Sequence, residues 1–312
     1  MSLFFILLIL LLVCAGLSGL YLFLIMPALG KKGDVPLFKQ FYYAHRGLHD
    51  VKPQQEKRRH FFMESRDSQA ASGGSLHTSA APFLAVPGTD TPENSMAAFQ
   101  AAVDAGYGIE MDVQLTKDKI PVVFHDFTLE RVCNVPGKVC DMTWEELSAL
   151  RLNGTDEGIP LFEEVLALVN GRIPLLIEYK VELFDTSVCR ICEKLLSAYP
   201  GLYCIESFNP LVLRWYKKNR PQVVRGQLSA KFREVSSPLY YLYLSPLHHL
   251  LFNFLTKPDF IAYDCTCTGA LSRRICKNLY RNLSVAWTIR SREDMEQLKT
   301  QFDLFIFEGF CP

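Results

Sequence analysis

From residue 41 onward the chain alternates short, near-continuously apolar runs with stretches of helical periodicity. The runs are 41–44, 108–113, 121–124, 174–177, 202–205, 223–228, 260–263, 284–289 and 304–307. Runs without polar alternation suit parallel strands covered on both faces. Between them, residues 95–105, 143–150, 162–169, 186–199, 210–218 and 292–301 carry apolar positions at helical spacing. Thr143 followed by Glu146 reads as a capping box. Strand–helix alternation repeated this often predicts an α/β fold with a parallel sheet. A TIM (β/α)8 barrel fits the run count better than a doubly wound sheet, with one run to spare. The link between the second and third runs, residues 115–119, is too short for a parallel crossover. One of that pair is therefore expected to be a hairpin extension above the barrel rim.

Three segments break the rhythm. Residues 3–26 hold no charged side chain and would span roughly 36 Å as a helix, enough for a hydrocarbon core of about 30 Å. The stretch is long and no Lys or Arg precedes it, so an uncleaved anchor is favoured over a signal peptide. Lys31, Lys32 and Lys39 follow it, and positive flanks stay cytoplasmic, which places the remainder of the chain on the cytoplasmic side. The chain thus divides into an anchor at residues 1–30 and a barrel at 41–312. Residues 49–88 carry the basic run Lys57-Arg58-Arg59 and then a Ser/Gly/Ala-rich piece, and read as a long, partly disordered insertion. Residues 238–257 are rich in Tyr, Leu and Phe and nearly uncharged; they suit an outer barrel helix or, alternatively, a membrane-facing flap beside the site.

Charge and cysteine usage narrow the function classes. The 33 basic and 33 acidic side chains leave a formal net charge of zero, which argues against nucleic acid as a partner. One CxxC, Cys189-Arg190-Ile191-Cys192, occurs among the 10 cysteines with no second pair to complete a four-cysteine site, so a zinc ribbon is excluded on spacing and reduced thiols are expected.

The polar exceptions fall at the carboxyl ends of the apolar runs, the face of a barrel where catalytic groups collect. There stand His45-Arg46-Gly47, Glu110 and Asp112, His125-Asp126, Glu178 and Lys180, Glu206-Ser207, Gln227, Trp287 and Glu308. Glu110 and Asp112 are two apart, hence on one side of their strand. Three converging carboxylates (Glu110, Asp112, Glu178) would repel one another, and a hard divalent cation, Ca²⁺ or Mg²⁺, removes that conflict. Two histidines suit acid–base work near neutral pH, and Arg46 and Lys180 supply donors for a phosphate. Together these point to phosphate-ester cleavage.

His45-Arg46-Gly47, Pro92-Glu93-Asn94-Ser95, Glu110-x-Asp112, His125-Asp126 and Glu178-x-Lys180, in that order, resemble the glycerophosphodiester phosphodiesterases, here in a membrane-anchored, bacterial-type form. Ser207-Phe208 and Trp287-Thr288 also resemble that family, and Ser207 and Trp287 would belong to the substrate pocket. The resemblance implies a TIM barrel that uses a divalent metal to hydrolyse a glycerophosphodiester, or a lysophospholipid, to glycerol 3-phosphate, or lysophosphatidic acid, and an alcohol. It implies Glu110, Asp112 and Glu178 as metal ligands, with Glu93 as a further ligand or a neighbour of the metal. His45 and His125 would be the acid–base pair, His125 alternatively contributing to the metal, and Arg46 and Lys180 would hold the phosphate. Ser95 replaces the family's usual Thr, the stretch from His45 to Glu93 is unusually long, and Glu308-Gly309 stands where many relatives carry Thr-Asp. A catalytically silent barrel kept as a membrane scaffold or lipid-binding module is the reading from another class. A different metal-dependent hydrolase on a similar barrel is the third.

Overall fold

All nine apolar runs form strands, and eight of them lie parallel around a closed barrel. The computed structural model describes residues 3–30, 34–50, 91–182, 184–231 and 244–312. The strands are β1 (Tyr43–Ala44), β2 (Gly108–Leu115), β3 (Pro121–Val123), β4 (Leu175–Tyr179), β5 (Tyr203–Ser207), β6 (Val224–Ser229), β7 (Phe260–Asp264), β8 (Leu283–Ile289) and β9 (Leu304–Phe307). Their order is β1-β9-β8-β7-β6-β5-β4-β2-β3, and β1 pairs with both β9 and β2, which closes the ring. β3 pairs antiparallel with β2, Val113 opposite Val123, so it is the hairpin that the short link required.

Strand side chains alternate between the barrel interior and the surrounding helices. Outward residues such as Ile109, Met111, Ile177 and Ile205 pack under the helical layer in the largest apolar cluster. The amino half of the interior is a separate cluster of Leu176, Cys204, Val224, Phe260, Leu283 and Leu304, joined by Val35 and Phe38 of the short helix Val35–Phe38. Gly226 belongs to that half because a Cβ there would lie 2.0 Å from the Phe260 ring. Two residues further along, the inward line turns polar. Leu176 is followed by Glu178, Cys204 by Glu206, Tyr43 by His45, Ala262 by Asp264 and Ile306 by Glu308.

The apolar N-terminal segment is one helix, α1 (Leu3–Ile25), whose residues 4–20 are exposed and whose last turn docks on the barrel flank. Within the 238–257 segment, the helix Asn253–Thr256 packs between α1 and the helix Pro210–Asn219, as an outer-layer element does. Residues 238–243 of that segment and residues 51–88 of the insertion lie outside the described residues. All ten cysteines are free.

Candidate active site

Two tight turns bring the first motifs to the mouth. After β1, Arg46 and Gly47 both adopt positive φ (56° and 82°), and the Arg46 N–H donates to Glu110 Oε2 at 2.9 Å. Gly47 is required twice, since a Cβ there would also meet Ala98 at 2.8 Å. Asn94, also at positive φ, donates its N–H to the Arg46 carbonyl and its side-chain amide to Asp112 Oδ2 at 2.9 Å. Ser95 caps the helix Met96–Ala105 by accepting from the Ala98 N–H, a task for which Ser and Thr are equally equipped.

Sheet register assembles the carboxylates. Asp112 pairs with Glu178 across β2 and β4, and Glu178 pairs with Glu206 across β4 and β5, so three acids form a row with Glu110 just beneath. Glu110, Asp112 and Glu178 are buried, and one oxygen from each lies within 4.8 Å of the others. Lys180 Nζ sits 3.1 Å from Asp112 and 2.9 Å from Glu178. Burial pushes Glu110 and Glu178 up, reinforced at Glu110 by Asp112 and Glu178 and opposed at Glu178 by Lys180, whereas at Asp112 the pull of Lys180, His125 and Arg46 together overcomes burial and holds the carboxyl down. Burial would lower Lys180, but Asp112 and Glu178 keep it raised. Three oxygen donors converging in a buried pocket fit a hard divalent cation. Glu206 is likewise buried, with Oε2 unpartnered, and burial together with Glu110, Glu178 and Asp112 raises its pKa well above the usual range.

Each histidine is oriented by a carboxylate. His45 Nδ1 lies 2.7 Å from Glu308 Oε2, and its Nε2 stands 4.0 Å from Glu110 Oε2. A carboxylate only accepts, so the Nδ1 proton points to Glu308 and the Nε2 lone pair faces the pocket. Burial lowers His45 to about 4 against the counter-pull of Glu308, which is itself lowered to about 2 because its bond to His45 and the charges of His45 and Arg290 together outweigh burial. His125 Nδ1 lies 2.5 Å from Asp126 Oδ1, and Arg131 grips Asp126 at 2.6 Å.

A cavity of about 490 Å³ opens over these groups, and His45, Arg46, Glu110, His125, Glu178, Lys180 and Trp287 all line it. Glu93, expected as a metal ligand or a neighbour of the metal, and Ser207, expected in the substrate pocket, do not line the cavity. Glu93 is salt-bridged to Arg46 (2.8 Å) and Arg131 (2.6 Å) and lies outside the three-carboxylate group. Ser207 donates its hydroxyl to the Tyr179 carbonyl at 2.7 Å, since it follows inward-facing Glu206 and so points to the other face. Phe208 lines the cavity instead, edge-on to Trp287 at 5.7 Å between centroids. Thr288 lines it beside Trp287, and Asp264, Cys265, Thr266 and Arg290 also line it without having been expected there. Their signal was position at the ends of β7 and β8 rather than any motif.

The glycerophosphoryl diester phosphodiesterase family model matches residues 87–304. A glycerophosphodiester phosphodiesterase of Caldanaerobacter subterraneus is 32% identical over 222 residues, covering 67% of this chain and 85% of the relative. Human glycerophosphodiester phosphodiesterase 1 is 32% identical over 137 residues, 40% of this chain and 41% of the relative. Among solved structures, an Oleispira antarctica phosphodiesterase in complex with its product sn-glycerol 3-phosphate superimposes with a TM-score of 0.59. At 20% identity over 86% of this chain and 93% of that one, it speaks for the fold.

Proposed function

This chain belongs to the glycerophosphoryl diester phosphodiesterase family and is a phosphoric diester hydrolase, and from that premise we propose a metal-dependent cleavage carried by the two mouth histidines. The observation that carries the reading is the convergence of Glu110, Asp112 and Glu178 within 4.8 Å beneath His45 and His125, each of which is oriented by a carboxylate. A divalent cation, Ca²⁺ or Mg²⁺, held by Glu110, Asp112 and Glu178 would neutralise charge on the phosphoryl group. Arg46 and Lys180 would then grip phosphate oxygens, exchanging part of their present carboxylate pairing for the substrate. His45, neutral at pH 7 with Nε2 free, takes the proton from the attacking hydroxyl as the new O–P bond forms. His125, beside the ionised Asp126, returns a proton to the alcohol oxygen as its bond to phosphorus breaks. The attacking hydroxyl is water or the substrate's own, and the same two proton carriers serve either route.

The substrate is a glycerophosphodiester or a lysophospholipid, released as glycerol 3-phosphate or lysophosphatidic acid. Residues 1–30 serve as a membrane anchor and 41–312 as the catalytic domain, on the cytoplasmic side. The anchor reading is supported by the uncharged 22-residue span Phe4–Ile25, with mean hydropathy 2.7, and by the docking of the helix end on the barrel. The silent-scaffold reading would want a motif carboxylate or histidine missing from the mouth, and each is in place.

The test is product release by the full-length protein in detergent from glycerophosphocholine and from lysophosphatidylcholine, after chelation and again with added Ca²⁺ or Mg²⁺. Chelation should abolish release and one of the cations restore it. His45→Ala should lose turnover while retaining bound metal. Release that survives chelation, or metal lost together with His45, would overturn the assignment.

A further inference from the structure

The contacts of α1 run down the barrel flank from Tyr21 to Ala28, apart from the hydroxyl of Tyr280, which stands just before β8 and donates to the Leu22 carbonyl. Tyr21 lines a shallow cleft with His248, Ala270, Leu271 and Ser272. His248 is bonded to the Ala230 carbonyl just past β6, and Ser272 lies in the first turn of the helix that follows β7, so both mark the mouth end. One turn later, the Ile25 carbonyl accepts from Asn253 Nδ2 at 2.9 Å and from Cys276 Sγ at 3.3 Å. Further on, Lys257 Nζ donates to the Met26 carbonyl at 3.2 Å, and the Ala28 N–H donates to the Pro258 carbonyl at 3.0 Å. Lys257 and Pro258 precede β7 and mark the opposite end. The chain therefore enters at the mouth and descends, and everything before Tyr21 projects beyond the mouth.

The joint is stiff for a physical reason. The last carbonyls of a helix lack partners within it, and here Tyr280 (to Leu22 O, 2.9 Å), Asn253, Cys276 and Lys257 supply them from the barrel. The Lys257 ammonium also complements the negative end of the helix dipole. Above the joint, residues 4–20 are exposed and almost wholly apolar, and that surface continues to Leu20, one residue from the level of the mouth. From Leu3 to Leu20 the helix rises roughly 27 Å, about one hydrocarbon core. Lipid that covers this surface must reach the rim, where Tyr21 suits the bilayer interface. Phe184, 78% exposed after β4, and Leu271, 60% exposed after β7, stand on that rim. Leu37 and Leu279 are exposed at the other end, so it is the order of contacts along α1, not exposed apolar groups alone, that selects the face.

We propose that α1 holds the barrel with its mouth against the bilayer it crosses, so that a single-chain lysophospholipid presents its phosphodiester to the site while its acyl chain stays in lipid. The proposal rests on the anchor and phosphodiesterase readings above. It is tested with full-length protein in phosphatidylcholine vesicles carrying brominated acyl chains, which quench nearby tryptophan. Emission added by Phe184→Trp should be quenched by more than half, and emission added by Leu37→Trp should be unchanged. Equal quenching at the two positions, none at either, or quenching confined to position 37 would overturn the orientation. A flexible Gly/Ser linker inserted between Leu20 and Tyr21 leaves the joint docked but frees the mouth. It should cut hydrolysis of vesicle-borne lysophosphatidylcholine about tenfold, by lowering effective concentration, with glycerophosphocholine hydrolysis unchanged. Undiminished lysolipid turnover would overturn the substrate assignment. Correct quenching with neither substrate cleaved would instead break the phosphodiesterase reading and leave the orientation standing.

Discussion

The two halves of the barrel interior are built on opposite rules from the same strands. The amino half is closed and apolar, with Phe260, Leu176 and Leu304 against Phe38. The carboxyl half, one inward position further along, holds four buried or nearly buried carboxylates and a histidine. Burying carboxylates costs several kcal/mol each unless they are paired, and the apolar floor beneath removes the water that would otherwise relieve them. The lower half thus stabilises the fold and also sets the low-polarity boundary that raises Glu110, Glu178 and Glu206. Stability and chemistry are separated by about two residues of strand, roughly 7 Å.

The separation can be broken first at its polar end. Glu110→Ala should abolish metal binding and lower kcat/KM by at least about 10³-fold, with little loss of fold; calorimetric metal titration beside activity assays checks it, and activity retained without metal would contradict the ligand assignment. At the apolar end, Phe260→Ala should cost about 3–5 kcal/mol in urea unfolding while the protein that remains folded keeps its kcat. A large fall in kcat with unchanged stability would mean that the two halves are not separable. Glu308→Gln tests orientation without charge. It should lower kcat about 100-fold and leave metal affinity and KM nearly unchanged, because a neutral amide accepts the His45 Nδ1 proton more weakly and its NH2 can favour the other tautomer.

The last prediction concerns pH. Glu206 has a folded pKa raised by burial and by neighbouring carboxylates. Its contribution to stability is fully present below its unfolded pKa and is lost as pH rises through the folded value, because the unfolded chain ionises freely while the folded one resists. Glu206→Gln should therefore raise Tm of the chelated protein more at pH 8 than at pH 4. An equal shift at both would show that Glu206 is not held back by the acid row.

Much of this was readable before folding. All nine strands were marked by apolar runs, and the short 115–119 link required one of the second and third to be a hairpin extension, which the structure shows to be β3. The helix Leu271–Asn278 escaped because its sequence, LSRRICKN, is largely polar. Its Arg273 is buried nonetheless, donating to the Gln301 and Thr268 carbonyls and lying 4.3 Å over the Phe302 ring. Ser207 turns away from the cavity for a readable reason, since a residue next to inward Glu206 must face outward. The Glu308 partner of His45 stood 263 residues away, and the arginine clamp on Glu93 joined residues 38 apart; neither left a local pattern.

The sequence by itself determined the alternation of elements, the face on which polar groups collect, the Glu110–Asp112 pairing along one strand and the apolar length of α1. Each of these follows from spacing along the backbone, which holds wherever the chain goes. Only the tertiary structure decided which acids stand in one row, which carboxylate orients which histidine, and that α1 descends the flank from the mouth. Those depend on barrel closure, where register between strands far apart in the chain, and not spacing within one, sets the distances.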